Sequence, residues 1–299
     1  MSTPLVKAKP FLKWAGGKSQ LLEQFQDYYP AELKLGKIKK YFEPFLGGGA
    51  VFLDIVKKFK INKAYLTDIN EELIIAYKVI QRAPETLIEY LKKFSRDYHQ
   101  LSEEERKEYF YDVRLNYNLN HFQISYKKYS KNWIPRTAQM IFLNKTCFNG
   151  LFRVNQKGEF NVPFGKYKNP KILNEQNIIS LSNILQIAEI NVGDFKSTEH
   201  LIDENSFIYF DPPYRPISKT ASFTSYAQSG FNDDEQIRLG KYFAKLDREK
   251  NARLMLSNSD PTNENPDDSF FEELFKGYNI NRVFANRMIN CNGGQCAIA

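Results

Sequence analysis

Cysteine and histidine are both scarce in this chain. Three cysteines (Cys147, Cys291, Cys296) and three histidines (His99, His121, His200) are scattered through 299 residues. None falls at a metal-ligand spacing, so no metal site is expected and the cysteines read as buried or surface thiols. No run of about 18 apolar residues exists, which argues against a membrane span. The stretch from Met1 to Lys7 lacks the apolar core of a signal peptide, so a cytoplasmic protein is expected. Neither an internal repeat nor a low-complexity tract is visible.

What is present fits a globular α/β protein. The length allows one large domain or two smaller ones, with ample material for a core. Hydrophobic residues make up 42% and charged residues 26%. The net charge of +7 and the pI near 9.0 suit a polyanionic partner, because Lys and Arg neutralise phosphates. Charge alone does not decide this, since many basic proteins bind no nucleic acid.

Apolar periodicity organises the chain. Leu21, Leu22, Phe25 and Tyr28 share one helical face. A strand from Lys39 runs into the glycines Gly47 to Gly49, and a helix follows from Val51 to Phe59. Lys63 to Asp68 reads as a strand, and Glu71 to Ile80 as a helix. From Pro84 to about Asn120 the pattern is helical. From Tyr126 to Lys168 the chain reads as loop-rich. Strands resume at Ala188 to Val192, Ser206 to Phe210 and Ala252 to Ser257, with a helix capped by Asp233 and running to about Leu246. Strands alternating with helices imply a parallel sheet, interrupted by an insertion at about 82–186.

Two loops carry chemistry. Gly47, Gly48 and Gly49 follow a strand and precede a helix, where glycines permit a tight turn and close approach of a ligand. Asp68 ends the next strand, placed to accept hydrogen bonds from ribose hydroxyls. The pair fits any adenosine-bearing cofactor, including a nicotinamide dinucleotide, although Phe52 breaks the full dinucleotide fingerprint. An ordinary glycine turn beside a surface acid is the plainer alternative. Gly17, Lys18 and Ser19 look like the end of a P-loop, but Leu12 stands where its first glycine is needed, which excludes it.

The second loop is Asp211, Pro212, Pro213 and Tyr214, directly after a strand. A rigid Pro-Pro turn is the plain reading. The residue types also answer one chemical problem. An exocyclic aromatic amine is a poor nucleophile because its lone pair is delocalised. The Asp211 carboxylate and the Pro212 carbonyl are two acceptors that can pull such an amine toward tetrahedral geometry. Tyr214 offers a face on which a flipped base can stack. No metal is needed.

Taken together, these stretches resemble DNA adenine-N6 methyltransferases of the Dam type, over nearly the whole chain. Phe11 to Lys18 resembles the family's N-terminal cofactor motif, Phe42 to Phe52 its glycine loop, and Asp68 to Asn70 its ribose motif. Gly193 to Phe195 resembles the segment that holds the cofactor adenine, and Tyr209 to Tyr214 the catalytic motif. The resemblance implies a Rossmann-like S-adenosylmethionine-dependent sheet with an inserted, mainly helical target-recognition domain. The catalytic domain would comprise 1–81 and 187–299, and the recognition domain 82–186. It implies S-adenosylmethionine contacts at Trp14, Lys18, Phe45, Gly47, Gly49, Asp68, Ile69, Asp194, Phe195 and Asp211.

The stretches 142–153 and 158–165 are similar to the family's target-recognition hairpin, and double-stranded DNA is the implied partner. Arg153 could donate two hydrogen bonds to a guanine. Leu151 and Pro163 could meet a thymine methyl, and Phe148 and Asn149 could wedge at the base step. Lys166 and Tyr167 join this DNA-binding set. Lys127, Lys128, Lys131, Lys166 and Lys168 suit phosphates, though each also suits a solvated surface. By analogy a GATC-containing site is the expected target, and one enzyme per site needs only a monomer, with a weak dimer as the alternative. The family's usual terminal strand is not matched after Arg287, from which a truncated and less stable sheet is expected. Competing readings are a methyltransferase acting on RNA or a protein amide, and a DNA-binding relic without turnover.

Overall fold

Short apolar runs closed by polar or acidic residues form the strands, and longer one-sided patterns form the helices. The computed structural model describes residues 8–215, 231–263, 265–285 and 297–298. In chain order the elements begin with α1 (Leu22–Tyr28), α2 (Ala31–Lys34), β1 (Lys40–Glu43), α3 (Ala50–Lys58) and β2 (Lys63–Asp68). Then come α4 (Glu71–Arg82), α5 (Pro84–His99), α6 (Glu103–Leu119), α7 (Trp133–Thr146) and α8 (Glu175–Leu185). The chain continues with β3 (Ala188–Val192), β4 (Ser206–Phe210), α9 (Asp233–Lys250), β5 (Arg253–Leu256) and α10 (Phe270–Leu274). Last come β6 (Phe284–Ala285) and β7 (Ala297–Ile298), which pair antiparallel.

The chain divides into two compact units. One comprises Met1–Gly17, Gly47–Leu53 and Asp68–Val192, and the other Lys18–Leu46, Asp54–Thr67 and Gly193–Ala299. In the second unit β2, β1, β4 and β5 lie side by side, all parallel. Central β4 is buried at all five positions, as expected of a strand covered on both faces. Phe42, Ile208 and Phe210 pack with Leu239, Tyr242, Phe243 and Leu246 of α9 and with Phe271 and Phe275. The apolar spacing along α9 follows the helical repeat.

Two boundaries differ from the sequence expectation. The cap of α9 is Asn232, whose side chain accepts from Glu235 N at 3.1 Å, so Asp233 is the first helical residue. The helix runs on to Lys250, with Arg248 and Lys250 in its last turn, and stops at left-handed Asn251 (φ 50°). In α1, Phe25 is buried, whereas Tyr28 is 41% exposed and stands off the expected apolar face.

The first unit is mainly helical, with α4 against β3 and α8, and α7 against α4, α5 and α6. Within the stretch Tyr126 to Lys168, expected to be loop-rich, Trp133–Thr146 forms a helix that was not expected, while most of the remainder is irregular. This helix is buried nearly all round, from Trp133 and Ile134 through Met140, Phe142 and Leu143, so it shows no one-sided apolar stripe. Its buried Arg136 pairs with Glu72 of α4 at 2.5 Å and donates to Tyr117 O at 2.8 Å. After α7, free Cys147 is buried; the thiol expectations for Cys291 and Cys296 lie outside the described residues. Among the described residues no helix is long and apolar enough to cross a membrane, and no group of three or more His, Cys, Asp or Glu side chains converges.

Candidate active site

In the second unit, parallel pairing of Phe210 with Leu256 brings the ends of β4 and β5 together. Ser257 N then donates to Phe210 O at 3.0 Å, carrying the ladder one residue further. This sets Ser257 Oγ 3.1 Å from Asp211 Oδ1, to which it donates. The Tyr209 hydroxyl lies 2.7 Å from Ser257 Oγ. Burial first, and then the Asp211 carboxylate, hold the Tyr209 phenol well above its ordinary pKa. Tyr209 therefore keeps its proton and donates to Ser257, whose own proton goes to Asp211.

The other partner of Asp211 is Lys18, only 4% exposed, with Nζ at 2.7 Å. The same ammonium stands 4.7 Å from the centre of the Tyr214 ring. Burial pulls the Lys18 ammonium down, but Asp211 and Tyr214 outweigh it and hold the group above its usual value. For Asp211 removal from water is the larger influence and pushes the carboxyl up, with Lys18 and Ser257 opposing it. The contact distance is that of a charged pair. Pro213 O accepts from Gln236 Nε2 at 3.0 Å. Among the described residues no hydrogen bond reaches Pro212 O, which leaves that acceptor for a ligand.

In the first unit, Trp14, Gly47, Gly48 and Asp68 come together. Gly47 (φ 46°) donates its N–H to Asp68 Oδ2 at 2.9 Å, and its carbonyl accepts from the Tyr77 hydroxyl at 3.1 Å. A Cβ on Gly47 would lie 3.0 Å from the Trp14 ring, and one on Gly48 3.5 Å from Trp14 Cβ. Gly49 is also left-handed, at φ 66°. Asn70 N donates to Asp68 Oδ1 at 2.9 Å, while the Asn70 side chain caps α4. Burial pushes the Asp68 carboxyl up, against the backbone N–H groups of Gly47, Asn70 and Ile69. The Asp68 carboxylate, with about four lone-pair sites, still has acceptor capacity for a hydroxyl donor. Ile69 is exposed, and Trp14 stacks on Phe152 at 5.3 Å. A glycine cradle packed on an aromatic ring beside an acceptor-rich carboxylate fits a nucleoside.

The remaining expected cofactor residues gather in the second unit. Phe45 lies 5.6 Å from Phe195, which is buried. Exposed Asp194 pairs with Arg238 at 2.5 Å, and the Arg238 guanidinium covers the Phe195 ring at 4.0 Å.

The expected DNA-binding residues stand on one antiparallel excursion of the first unit, bridged at Cys147–Phe164 and Val154–Phe160. Phe148, Asn149, Arg153, Pro163 and Lys166 are exposed, and Leu151 and Tyr167 are half-buried. Asn149 and Lys166 are left-handed, at φ 57° and 52°. Arg153 Nε donates to Asn161 Oδ1 at 2.8 Å, which steadies the side chain; among the described residues no hydrogen bond takes up its terminal nitrogens. Lys127, Lys128, Lys131 and Lys168 are exposed as well. At the base of the excursion Lys145 is pulled down to about 8, by burial first and then by Lys13.

Residues 14–289 match the family model for D12 class N6 adenine-specific DNA methyltransferases. The chain belongs to this family. It is 51% identical over 290 residues to the Type II methyltransferase M.MjaIII of Methanocaldococcus jannaschii, covering 97% of this chain and 96% of that one. It is 39% identical over 284 residues to the Type II methyltransferase M1.LlaDCHI of Lactococcus lactis subsp. cremoris, covering 94% and 89%. A DNA adenine methylase of Vibrio cholerae is 35% identical over 287 residues, covering 96% and 92%.

In this D12 class chain, two residues around the Asp211 loop escaped the sequence reading. Ser257 was hidden at the polar end of an apolar strand. Gln236 had a readable signal: it is 1% exposed and stands on the stripe of Leu239, Gly240, Phe243 and Leu246. A lone amide on an apolar helical face needs a polar partner inside the fold.

Proposed function

We propose that this chain transfers a methyl group from S-adenosylmethionine to N6 of an adenine flipped out of double-stranded DNA, within a GATC-containing site. S-adenosylmethionine supplies the electrophilic methyl on its sulfonium. The observation that carries the reading is the Lys18–Asp211–Tyr214 cluster at the end of β4 in a chain of the N6-adenine family. Asp211 and the Pro212 carbonyl accept from the adenine amine and favour its lone pair, while Tyr214 stacks on the base. The donor-accepting groups of the glycine cradle, with Trp14 and Asp68, hold the nucleoside portion of the cofactor. Phe45, Asp194 and Phe195 serve its adenine. The inserted region 82–186 binds DNA, with Arg153 reading a guanine and Phe148 and Asn149 wedging at the step.

The test is transfer of labelled methyl to plasmid DNA, followed by methylation-sensitive sequencing. The wild type should label adenine in GATC. Asp211→Ala should lose at least about 100-fold in transfer, as expected when an electrostatic contact to the reacting group is removed, and still shift DNA in a gel. Near wild-type transfer by that variant refutes the mechanism. Salt-dependent DNA binding by a wild type that labels nothing would favour the relic reading. Arg153→Ala should relax base preference by about 1–3 kcal/mol at one position and leave non-specific affinity nearly unchanged.

A further inference from the structure

The Asp211 loop is gripped from outside by a relay of two side-chain amides. Gln236 Nε2 donates to Pro213 O at 3.0 Å. Gln236 Oε1 accepts from Asn258 Nδ2 at 3.0 Å. Asn258 Oδ1 in turn accepts from Arg215 N at 3.4 Å and from Ser259 N at 2.9 Å. The relay therefore holds the backbone on both sides of Tyr214, at the carbonyl before it and the N–H after it. Beyond it, Ser259 Oγ donates to Arg215 O at 3.2 Å.

We propose that Gln236 and Asn258 are positioning residues that set the Pro212 carbonyl and the Tyr214 ring for the flipped base. Three points carry this, together with the reading of Asp211 given above, on which it rests. First, Gln236 is 1% exposed, so its amide serves an internal partner. Second, two consecutive prolines cannot donate to a ladder, so the loop cannot be held by backbone pairing on that side. Third, the relay occupies Pro213 O and not Pro212 O. It thereby separates a structural acceptor from a reactive one one residue away. Neither amide touches the adenine, and their effect passes through the loop.

The test compares Gln236→Leu, Asn258→Ala and the double variant with the wild type, on full-length protein and duplex DNA carrying one target site. Turnover should fall at least tenfold in Gln236→Leu and less in Asn258→Ala. The double variant should be no worse than Gln236→Leu, because the two act as one unit. The KM for S-adenosylmethionine and the affinity for DNA should stay within twofold. With 2-aminopurine at the target position, the fluorescence rise on binding should shrink in both variants. Additive losses, or a loss that follows cofactor affinity, would overturn the proposal. If Gln236→Leu fails to fold, Asn258→Ala decides: unchanged turnover and fluorescence refute the relay. A wild type that transfers no methyl refutes the proposed function itself and removes this inference with it.

Discussion

Replacing Lys18 by Met removes the only cation within contact of Asp211 among the described residues and keeps a side chain of similar length. In the wild type the ammonium is 2.7 Å from the carboxylate, with side-chain exposures of 5% and 20%. Breaking a buried pair by deleting one partner costs about 3–5 kcal/mol when the other stays charged. Two unit charges about 4 Å apart in an effective dielectric of about 20 interact by a similar amount, about 4 kcal/mol. The variant avoids most of that cost by leaving Asp211 protonated.

The direction of the pH effect follows from the balance at Asp211. Burial raises its carboxyl and Lys18 opposes that rise. Without Lys18 the upward influence is left opposed by Ser257 alone, so the carboxyl loses its proton only at higher pH. A protonated Asp211 cannot accept from the amine with both oxygens. Turnover of Lys18→Met at neutral pH should therefore fall by about 100-fold or more, the lower end of what proton placement contributes in catalysis. It should recover as pH rises, with the acidic limb of the profile displaced upward. Lys18→Arg, which keeps the charge, should displace the limb far less. The assay is kcat against pH at saturating S-adenosylmethionine and DNA, over the range in which wild type and variants stay folded. An acidic limb that superimposes on the wild type, or a loss that is the same at every pH, refutes the argument.

Two further changes probe the first unit. Gly47→Ala forces a side chain into a left-handed position (φ 46°) and sets a Cβ 3.0 Å from the Trp14 ring. The strain alone costs about 1–2 kcal/mol, so calorimetric titration should show weaker S-adenosylmethionine binding, and unchanged binding would count against the cradle. Arg136→Met removes the cation that holds the Glu72 carboxylate at 2.5 Å and leaves it the Tyr126 hydroxyl as a neutral donor. Urea unfolding should register a loss of about 3–5 kcal/mol, largely recovered when Glu72→Met is added; a loss below about 1 kcal/mol would mean the pair behaves like a surface one.

The fold was legible wherever local signals were self-contained. Strands β2, β3 and β4 have the boundaries expected, because each is a short apolar run ended by turn or acidic residues. Helix α7 was not legible, since burial on every side erases the period that reveals a helix. Its flanks, rich in Asn and Lys, make the whole stretch look like loop. The cap of α9 was misplaced by one residue because Asn232 and Asp233 are both good caps. The site divides in the same way. Gly47, Asp68 and Asp211 announce themselves within short motifs. Ser257 reaches Asp211 from 46 positions away, and Gln236 reaches Pro213 from 23, so their roles exist only once β5 and α9 are in place.

The two acidic residues of the motifs also show why one needed distant help and the other did not. Both carboxyls are pushed up by burial. Asp68 is followed by Ile69 and Asn70, and their backbone N–H groups, with that of Gly47, turn back to stabilise its charge. Asp211 is followed by Pro212 and Pro213, neither of which has an N–H. The rigidity that aims the Pro212 carbonyl thus removes the donors that a carboxylate at a strand end would otherwise use. The missing donors have to come from side chains, and here they come from Lys18 and Ser257. An acid followed by two prolines at the end of a buried strand therefore calls for a buried cation elsewhere in the chain. The Phe11–Lys18 motif, read from sequence as a cofactor motif, supplies it.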